Sequence, residues 1–274
     1  MNIGVIGTGN MGTILTEAIL EGGAVRPLDM VVTNRTLGKA YHLQEHYPDI
    51  VVVENAAEVV RQTDIIFICI KPLDIKPLLE LLKDELTGEH IVISITSPIT
   101  VEQLESITKS KVARMIPSIT NRALGGASLF TFGNRLTKKD RKDLVSLAGT
   151  FSKPIEIEEP ITRISSDLTS CGPAFITYLL ERMIEASVKE TPITRDVATV
   201  LITEMMIGYG QLLKENLYSL DTLRKKVHVK GGVTGEGLKV LEEEVGDLFR
   251  HVFQKTHEKF YEDHYYVDQQ FKDE

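Results

Sequence analysis

The first dozen residues constrain this chain more than any other stretch. An apolar run, Ile3-Gly4-Val5-Ile6, has strand character and ends in Gly7-Thr8-Gly9-Asn10-Met11-Gly12. A helical pattern of Ile14, Leu15, Ala18 and Ile19 follows directly. In a Gly-x-Gly-x-x-Gly turn the first glycine permits the tight turn, and the second lets backbone approach a pyrophosphate. The third lets the opening helix pack on the strand, while that helix's free N–H groups face the anion. Strand, glycines and helix in this order predict a dinucleotide site.

The next strand end bears on which dinucleotide. NAD-specific folds place Asp or Glu there, about twenty residues past the glycines, to bind the ribose 2′-OH. Here Asp29-Met30-Val31-Val32-Thr33 leads into Asn34, Arg35 and Thr36. A carboxylate would repel a 2′-phosphate, whereas a guanidinium gives it a charge-assisted partner. The expected cofactor is NADPH, with NADH binding more weakly.

Strand and helix patterns alternate through the first half, which predicts a mostly parallel sheet wrapped by helices. Strands are expected near Met30–Thr33, Ile50–Val53, Asp64–Ile70, His90–Ser94 and Lys111–Ile116, with a last β pair at Ala127–Phe132 and Pro154–Glu158. Helices are expected over Leu37–His46, Ile75–Lys83, Val101–Ile107 and Thr137–Gly149. One Rossmann unit of about 150–160 residues leaves more than a hundred for a second domain. The expected class is α/β: a Rossmann NAD(P)-binding domain over 1–160 and an all-helical domain over 161–274.

From about Ser165 onward helices are expected near 167–189, 193–215, 219–227 and 236–264, with a polar, frayed tail from Glu262. Phe175–Ile184 and Val197–Leu213 are apolar nearly all round. A helix without a polar face must be buried on all sides, so subunit association is expected, as a homodimer or larger. The net charge of −8 argues against nucleic-acid and anionic-membrane partners. The longest clean apolar run, Ile65 to Ile70, is too short to span a bilayer. A strand that begins at residue 2 leaves no room for a signal peptide. Cys69 and Cys171 make no metal-ligand spacing and fit reduced thiols, so a cytoplasmic protein without a metal is expected.

Ligands in doubly wound folds bind outside the carboxyl ends of the strands. Lys71 is the one cation in the central loops there, and either touches the cofactor, orients substrate or stays on the surface. Asn55 suits an adenosine-side hydrogen bond or a helix N-cap. Thr169-Ser170-Cys171-Gly172-Pro173-Ala174 is expected to interrupt a helix, for a kink or for close approach to a ligand. Val229-Lys230-Gly231-Gly232-Val233-Thr234-Gly235 exposes successive N–H groups at a helix N-terminus, a ready place for a carboxylate.

Together these motifs resemble the pyrroline-5-carboxylate reductases, most like their late competence protein branch. The resemblance rests on the N-terminal glycines with Met11, the Asn34-Arg35 pair, Asn55, Ile70-Lys71-Pro72 and Ser94-Ile95. It extends through Arg114-Met115-Ile116-Pro117, Gly172-Pro173-Ala174 and Gly231-Gly232-Val233-Thr234, so it runs the whole length. It implies a Rossmann domain, a dimerisation domain with interlocked helices, and NAD(P)H-dependent reduction of a cyclic imine acid to proline. Carried over by position, Gly7, Gly9, Asn10, Met11, Gly12, Asn34, Arg35, Asn55, Ile70, Lys71 and Pro72 bind cofactor. Gly172, Pro173 and Ala174 shape the ring pocket. Gly231, Gly232 and the Thr234 backbone cradle the carboxylate, with Lys230 and Val233 beside them, and the Thr234 hydroxyl meets the ring nitrogen.

The chain also departs from the family pattern. Ile116-Pro117-Ser118-Ile119-Thr120 stands for Met-Pro-Asn-Thr-Pro, and Thr169-Ser170-Cys171 for Ser-Gly-Ser. Val229-Lys230-Gly231-Gly232-Val233-Thr234 stands for Ser-Pro-Gly-Gly-Thr-Thr. Each lost hydroxyl removes a contact worth about 0.5–1.5 kcal/mol. Two further readings are open. A 3-hydroxyacid dehydrogenase needs a lysine on the first interdomain helix, and none lies between Arg163 and Lys189. A catalytically weak, NADPH-binding regulatory member is compatible with the altered loop.

Overall fold

The computed structural model describes residues 1–229 and 231–272. The chain divides into two compact units, one of Met1–Pro173 with Lys255–Glu274 and one of Ala174–Gln254. The first therefore runs past the boundary expected at 160 and takes back the end of the chain. No helix among the described residues is long and apolar enough to cross a membrane.

The first unit is built on an eight-stranded sheet of order β3-β2-β1-β4-β5-β6-β7-β8. Its strands are β1 (Ile3–Ile6), β2 (Met30–Thr33), β3 (Val51–Val52), β4 (Ile65–Ile68), β5 (Ile91–Ser94), β6 (Lys111–Ile116), β7 (Ala127–Phe132) and β8 (Lys153–Glu156). Only β6 and β7 pair antiparallel. Alternation along the central strands feeds two cores. Ile3, Val5, Met30, Val32, Ile65, Phe67, Ile91 and Ile93 point to one face. Ile6, Val31, Ile66, Ile68 and Val92 point to the other. Helices α1 (Asn10–Glu21), α2 (Leu37–His46) and α6 (Lys138–Ala148) cover the first face. Helices α3 (Ala56–Gln62), α4 (Pro72–Leu81) and α5 (Val101–Ile107) cover the second. Covering both faces is what a parallel sheet requires, and explains the unbroken apolar runs. β4 stops at Ile68, short of the expected Ile70, because Lys71 is already the N-cap of α4 with Pro72 in its first turn.

The expected helix break at Gly172-Pro173 is not there. α7 (Thr162–Ser166) passes through a π-helical turn, Asp167–Cys171, directly into α8 (Gly172–Glu190). The wider turn accommodates the proline ring, a device that π-bulges commonly provide. Pro173 has no N–H to give the carbonyl four residues back, on Thr169. Ser118 supplies the missing donor, Oγ to Thr169 O at 2.7 Å.

The end of the chain also differs from expectation. The single helix expected at 236–264 is two, α11 (Val233–Val245) and α12 (Leu248–Lys272), parted at Gly246 with φ of +36°. The tail beyond Glu262 is not frayed but docked. Val267 is fully buried in the second core. Gln103 donates to Asp268 (2.6 Å), Lys76 Nζ to the Gln270 carbonyl (2.8 Å) and Gln270 to the Leu73 carbonyl (3.0 Å). Phe260, Val267 and Phe271 share one helix face amid polar neighbours, too sparse a stripe to announce itself in sequence.

The second unit is helical throughout. It holds most of α8, α9 (Arg195–Lys214), α10 (Leu220–Val227), α11 and the start of α12. Among its described residues only Ile184, Ala198 and Gly235 are buried. Tyr178, Met183, Val197, Val200, Leu201, Met205 and Ile207 are all exposed in the single chain.

Candidate active site

The glycine loop between β1 and α1 has the geometry its sequence predicts. Gly7 sits at φ +102°, where a Cβ would lie 2.5 Å from the Cys69 carbonyl oxygen. A Cβ at Gly12 would run into the Gly7 carbonyl. At Gly9, by contrast, a Cβ would meet nothing within 4 Å, so this position is open. Gly9 is the N-cap of α1 and offers no side chain to its amides. The first-turn N–H groups of Asn10, Met11 and Gly12 have no intrahelical acceptor. An open approach lined by such amides fits a pyrophosphate.

The Asn34 side chain turns inward rather than outward. Its Oδ1 accepts from the Thr8 N–H (3.0 Å), and its Nδ2 donates to the Thr36 carbonyl (3.0 Å). It therefore ties the glycine loop to the end of β2. Arg35 is exposed and makes no ion pair among the described residues, which leaves its guanidinium for an incoming anion. Asn55 is the N-cap of α3, accepting from the Glu58 N–H (3.1 Å) and donating to the Glu58 carboxylate (2.7 Å). Of its two expected roles, capping is the one its contacts occupy. Ile70 packs against the second core, and Lys71 is exposed.

A cleft of about 400 Å³ opens within the first unit beside this loop. Met11 and Pro72 line it with the β5–α5 loop (Ile95 to Pro98), Ile116, Pro117, Ile119, Ser166, Ser170 and Asp263. Its walls are cross-tied. The fully buried Arg114 on β6 donates to the carbonyls of Ser97 and Ile99 (3.2 Å each) and to the Thr131 and Thr162 hydroxyls (3.0 and 2.7 Å). It also pairs bidentately with Glu159 at 2.9 and 2.6 Å. The Pro117-Ser118 loop is bound to the π turn twice, by Ser118 to Thr169 O and by Ser170 Oγ to Pro117 O (2.7 Å). From α12, His264 Nδ1 meets the Pro98 carbonyl at 2.9 Å.

A buried polar cluster holds the π turn to α12. Asp167 accepts from Arg163 (2.8 Å) and from the Thr256 hydroxyl (2.7 Å). Arg163 also reaches the Cys171 sulfur at 3.3 Å. Burial pushes the Cys171 thiol pKa up despite that guanidinium, and burial likewise raises Cys69. Both thiols are free. Sequence reading had singled out neither Arg114's network nor Ser166, Ser170, Asp167 and Asp263 as site residues. A lone serine or aspartate carries no spacing signal, and α12 returns to the cleft only through tertiary folding.

In the second unit, the loop before α11 places Gly231 at φ +77°, and Gly232 caps the helix without a side-chain bond. Gly232 N–H bonds Val229 O (2.9 Å) and Gly235 N–H bonds Gly232 O (3.1 Å), while among the described residues the amides of Val233 and Thr234 make no such backbone bond. Thr234 is half-buried and makes no hydrogen bond among the described residues, and Val233 is 91% exposed. A Cβ on the buried Gly235 would come within 2.9 Å of His228 Nε2, a neighbour the sequence did not suggest. Lys230 lies outside the described residues. Gly172 and Pro173 open α8, which continues through Ala174.

Residues 2–98 match the family described as NADP oxidoreductase, coenzyme F420-dependent. Residues 159–263 match pyrroline-5-carboxylate reductase dimerisation. The chain is thus a Rossmann-type NADP oxidoreductase domain joined to a helical dimerisation domain. ComE operon protein 4 of Bacillus subtilis (strain 168) is 50% identical over 271 residues, 99% of each chain. Pyrroline-5-carboxylate reductase 3 of the same strain is 29% identical over 261 residues, 94% of this chain and 95% of that one. The solved pyrroline-5-carboxylate reductase of Coxiella burnetii has the same fold, with a TM-score of 0.80 at 27% identity, covering 98% of this chain and 97% of that one. This chain belongs to the pyrroline-5-carboxylate reductase family.

Proposed function

We propose that the protein is an NADPH-dependent reductase of 1-pyrroline-5-carboxylate or a close cyclic imine acid, forming proline or its analogue. The observation that carries the reading is the pair of loops, each ending in unsatisfied amides at a helix N-terminus. At the first, the open Gly9 and the amides of α1 hold the pyrophosphate, and Arg35 pairs with the 2′-phosphate. At the second, the Val233 and Thr234 amides and the α11 dipole hold the substrate carboxylate. The unbonded Thr234 hydroxyl then meets the ring nitrogen. Bound NADPH supplies the hydride, and the protein's part is to position and desolvate. The exposed apolar faces of α8 and α9 support a homodimer. The two free cysteines and the acidic surface suit the cytoplasm.

The test is an assay of purified protein with NADPH and pyrroline-5-carboxylate. Turnover is expected, with Thr234→Val reducing kcat about tenfold or more while NADPH affinity survives. Arg35→Ala should weaken NADPH by about 1–3 kcal/mol and leave NADH nearly unchanged. A second reading is favoured by Val229 and Val233, which put methyl groups where the family carries hydroxyls. In it the protein binds NADPH as a regulator. Tight NADPH binding with no turnover selects that reading.

A further inference from the structure

The β5–α5 loop forms one wall of the cleft through Thr96, Ser97 and Pro98. Among the described residues the carbonyls of Ser97, Pro98 and Ile99 accept no backbone hydrogen bond, so side chains hold this stretch in shape. Those three consecutive carbonyls are held from two sources. The buried Arg114 takes the outer pair, at Ser97 and Ile99. His264 takes the middle one, and because a carbonyl only accepts, Nδ1 is the nitrogen that donates.

The two holds differ in kind. Arg114 is fixed in the core by Glu159 and by the Thr131 and Thr162 hydroxyls. His264 belongs to the last turns of the chain, where terminal segments open locally at the smallest cost. Its ring stacks parallel on Phe260, with centroids 5.9 Å apart. Its Nε2 lies 3.6 Å from Asp268 Oδ2, and Asp268 in turn accepts from Gln103. The end of α12 is therefore a strap. Lys76 and Gln103 fasten it to α4 and α5, Val267 seats it in the second core, and His264 closes it on the cleft loop.

We propose that His264 is a positioning residue for the nicotinamide half of the cofactor, and that filling the cleft fastens the α12 strap. Met11 belongs both to the amides that face the pyrophosphate and to the cleft lining. The half of the dinucleotide beyond the pyrophosphate is then the part that reaches the loop. A ligand resting on Ser97 and Pro98 steadies the loop that His264 holds, and by reciprocity a docked strap tightens that ligand. The adenosine end has no part in this. It is held at Arg35, after β2, whereas the strap meets the loop after β5, three strands across in the sheet. The inference rests on the NADPH part of the reading above and not on the choice of imine. Absence of turnover on pyrroline-5-carboxylate would leave it standing.

The experiment pairs NADPH with 2′,5′-ADP, which keeps the adenosine and its 2′-phosphate but lacks the nicotinamide half. In hydrogen exchange on wild type, NADPH should slow the amides of residues 264–271, and 2′,5′-ADP should leave them as in the free protein. His264→Leu should weaken NADPH about fivefold, the loss of one hydrogen bond, and change 2′,5′-ADP less than about twofold. His264→Asn, which restores an amide donor close to the place of Nδ1, should bring NADPH back to within about twofold of wild type. The exchange measurement needs no variant, so it decides the matter even where a substitution loosens the helix end. Equal losses of both ligands in His264→Leu, or an asparagine variant as weak as the leucine one, would reduce His264 to a structural role and overturn the proposal. So would protection of the strap by both ligands alike, or by neither. Failure of wild type to bind NADPH at all would remove the cofactor reading and this inference together.

Discussion

The two units solve the burial problem in different ways. In the first, a sheet covered on both faces buries its strands and seals a complete core within one chain. In the second, five helices bury only three of their described residues, although α8 and α9 carry as many large apolar side chains as any strand. The hydrophobic driving force per area is the same in both. A sheet flanked by helices closes on itself, whereas two helices apolar all round need surface that one chain does not have. The first unit therefore specifies its own fold, and the second leaves apolar faces open in the single chain, as the proposed homodimer requires.

The sharpest way to break this contrast is to charge the exposed apolar face of α9. Leu201 is 58% exposed in the single chain. Leu201→Glu should split an assembly of twice the 30.6 kDa chain mass into monomers at micromolar concentration, read by light scattering. Burying an unpaired carboxylate costs several kcal/mol, roughly a hundredfold or more in the dissociation constant. A variant that stays dimeric would move the interface elsewhere.

A smaller effect separates folding from binding within the first unit. Gly12→Ala forces a methyl into the Gly7 carbonyl, so it should lower stability by about 1–3 kcal/mol in urea unfolding and weaken NADPH as well. Gly9→Ala meets nothing in the protein, so stability should stay within about 0.5 kcal/mol while NADPH affinity falls tenfold or more. Equal stability losses at the two positions would contradict the open approach at Gly9.

The smallest expected effect concerns pH. Hydrogen bonds from Tyr47 (2.8 Å) and then Arg122 hold the Glu21 carboxyl below its ordinary value of 4.5. Burial, and then the Glu21 contact, push Tyr47 up to about 12. A carboxylate lowered on folding contributes stability that is complete above its unfolded value and lost as pH falls through the folded one. Thermal unfolding of wild type should therefore lose more than that of Glu21→Gln between pH 6 and pH 3. The difference should be small, because the pair is partly solvated.

What could be read in the sequence follows the same divide. β2, β6, β7, α2 and α5 fall where the periodicity puts them, because alternation and capping residues such as Thr100 act locally. The glycine loop was legible because its spacing is fixed by a local turn: Gly12 must clear the Gly7 carbonyl and Gly9 stays open, although the Cys69 carbonyl that crowds Gly7 comes from beyond β4. The π turn was not, because the donor that satisfies Thr169 comes from Ser118, fifty-one residues away. Asn55 was ambiguous until its carboxamide was seen engaged with Glu58. Asp263 and Ser166 lay beyond reach, since only the return of α12 brings the chain's last turns to a loop that opens after β5.

That return has a consequence for how the molecule comes to exist. Topologically, residues 174–254 are an insertion between two parts of a single folding unit. On a ribosome, the sheet can assemble early, but Gln103, Lys76 and the Pro98 carbonyl wait for partners made 165, 194 and 166 residues later. Contacts of such long sequence separation form late and slow the final step. Until residues 264–270 emerge, the second core lacks Val267 and these first-unit groups lack their partners. Synthesis through residues 263–270 is then a requirement for completing the cleft wall, and the interval before it leaves the second core open to aggregation.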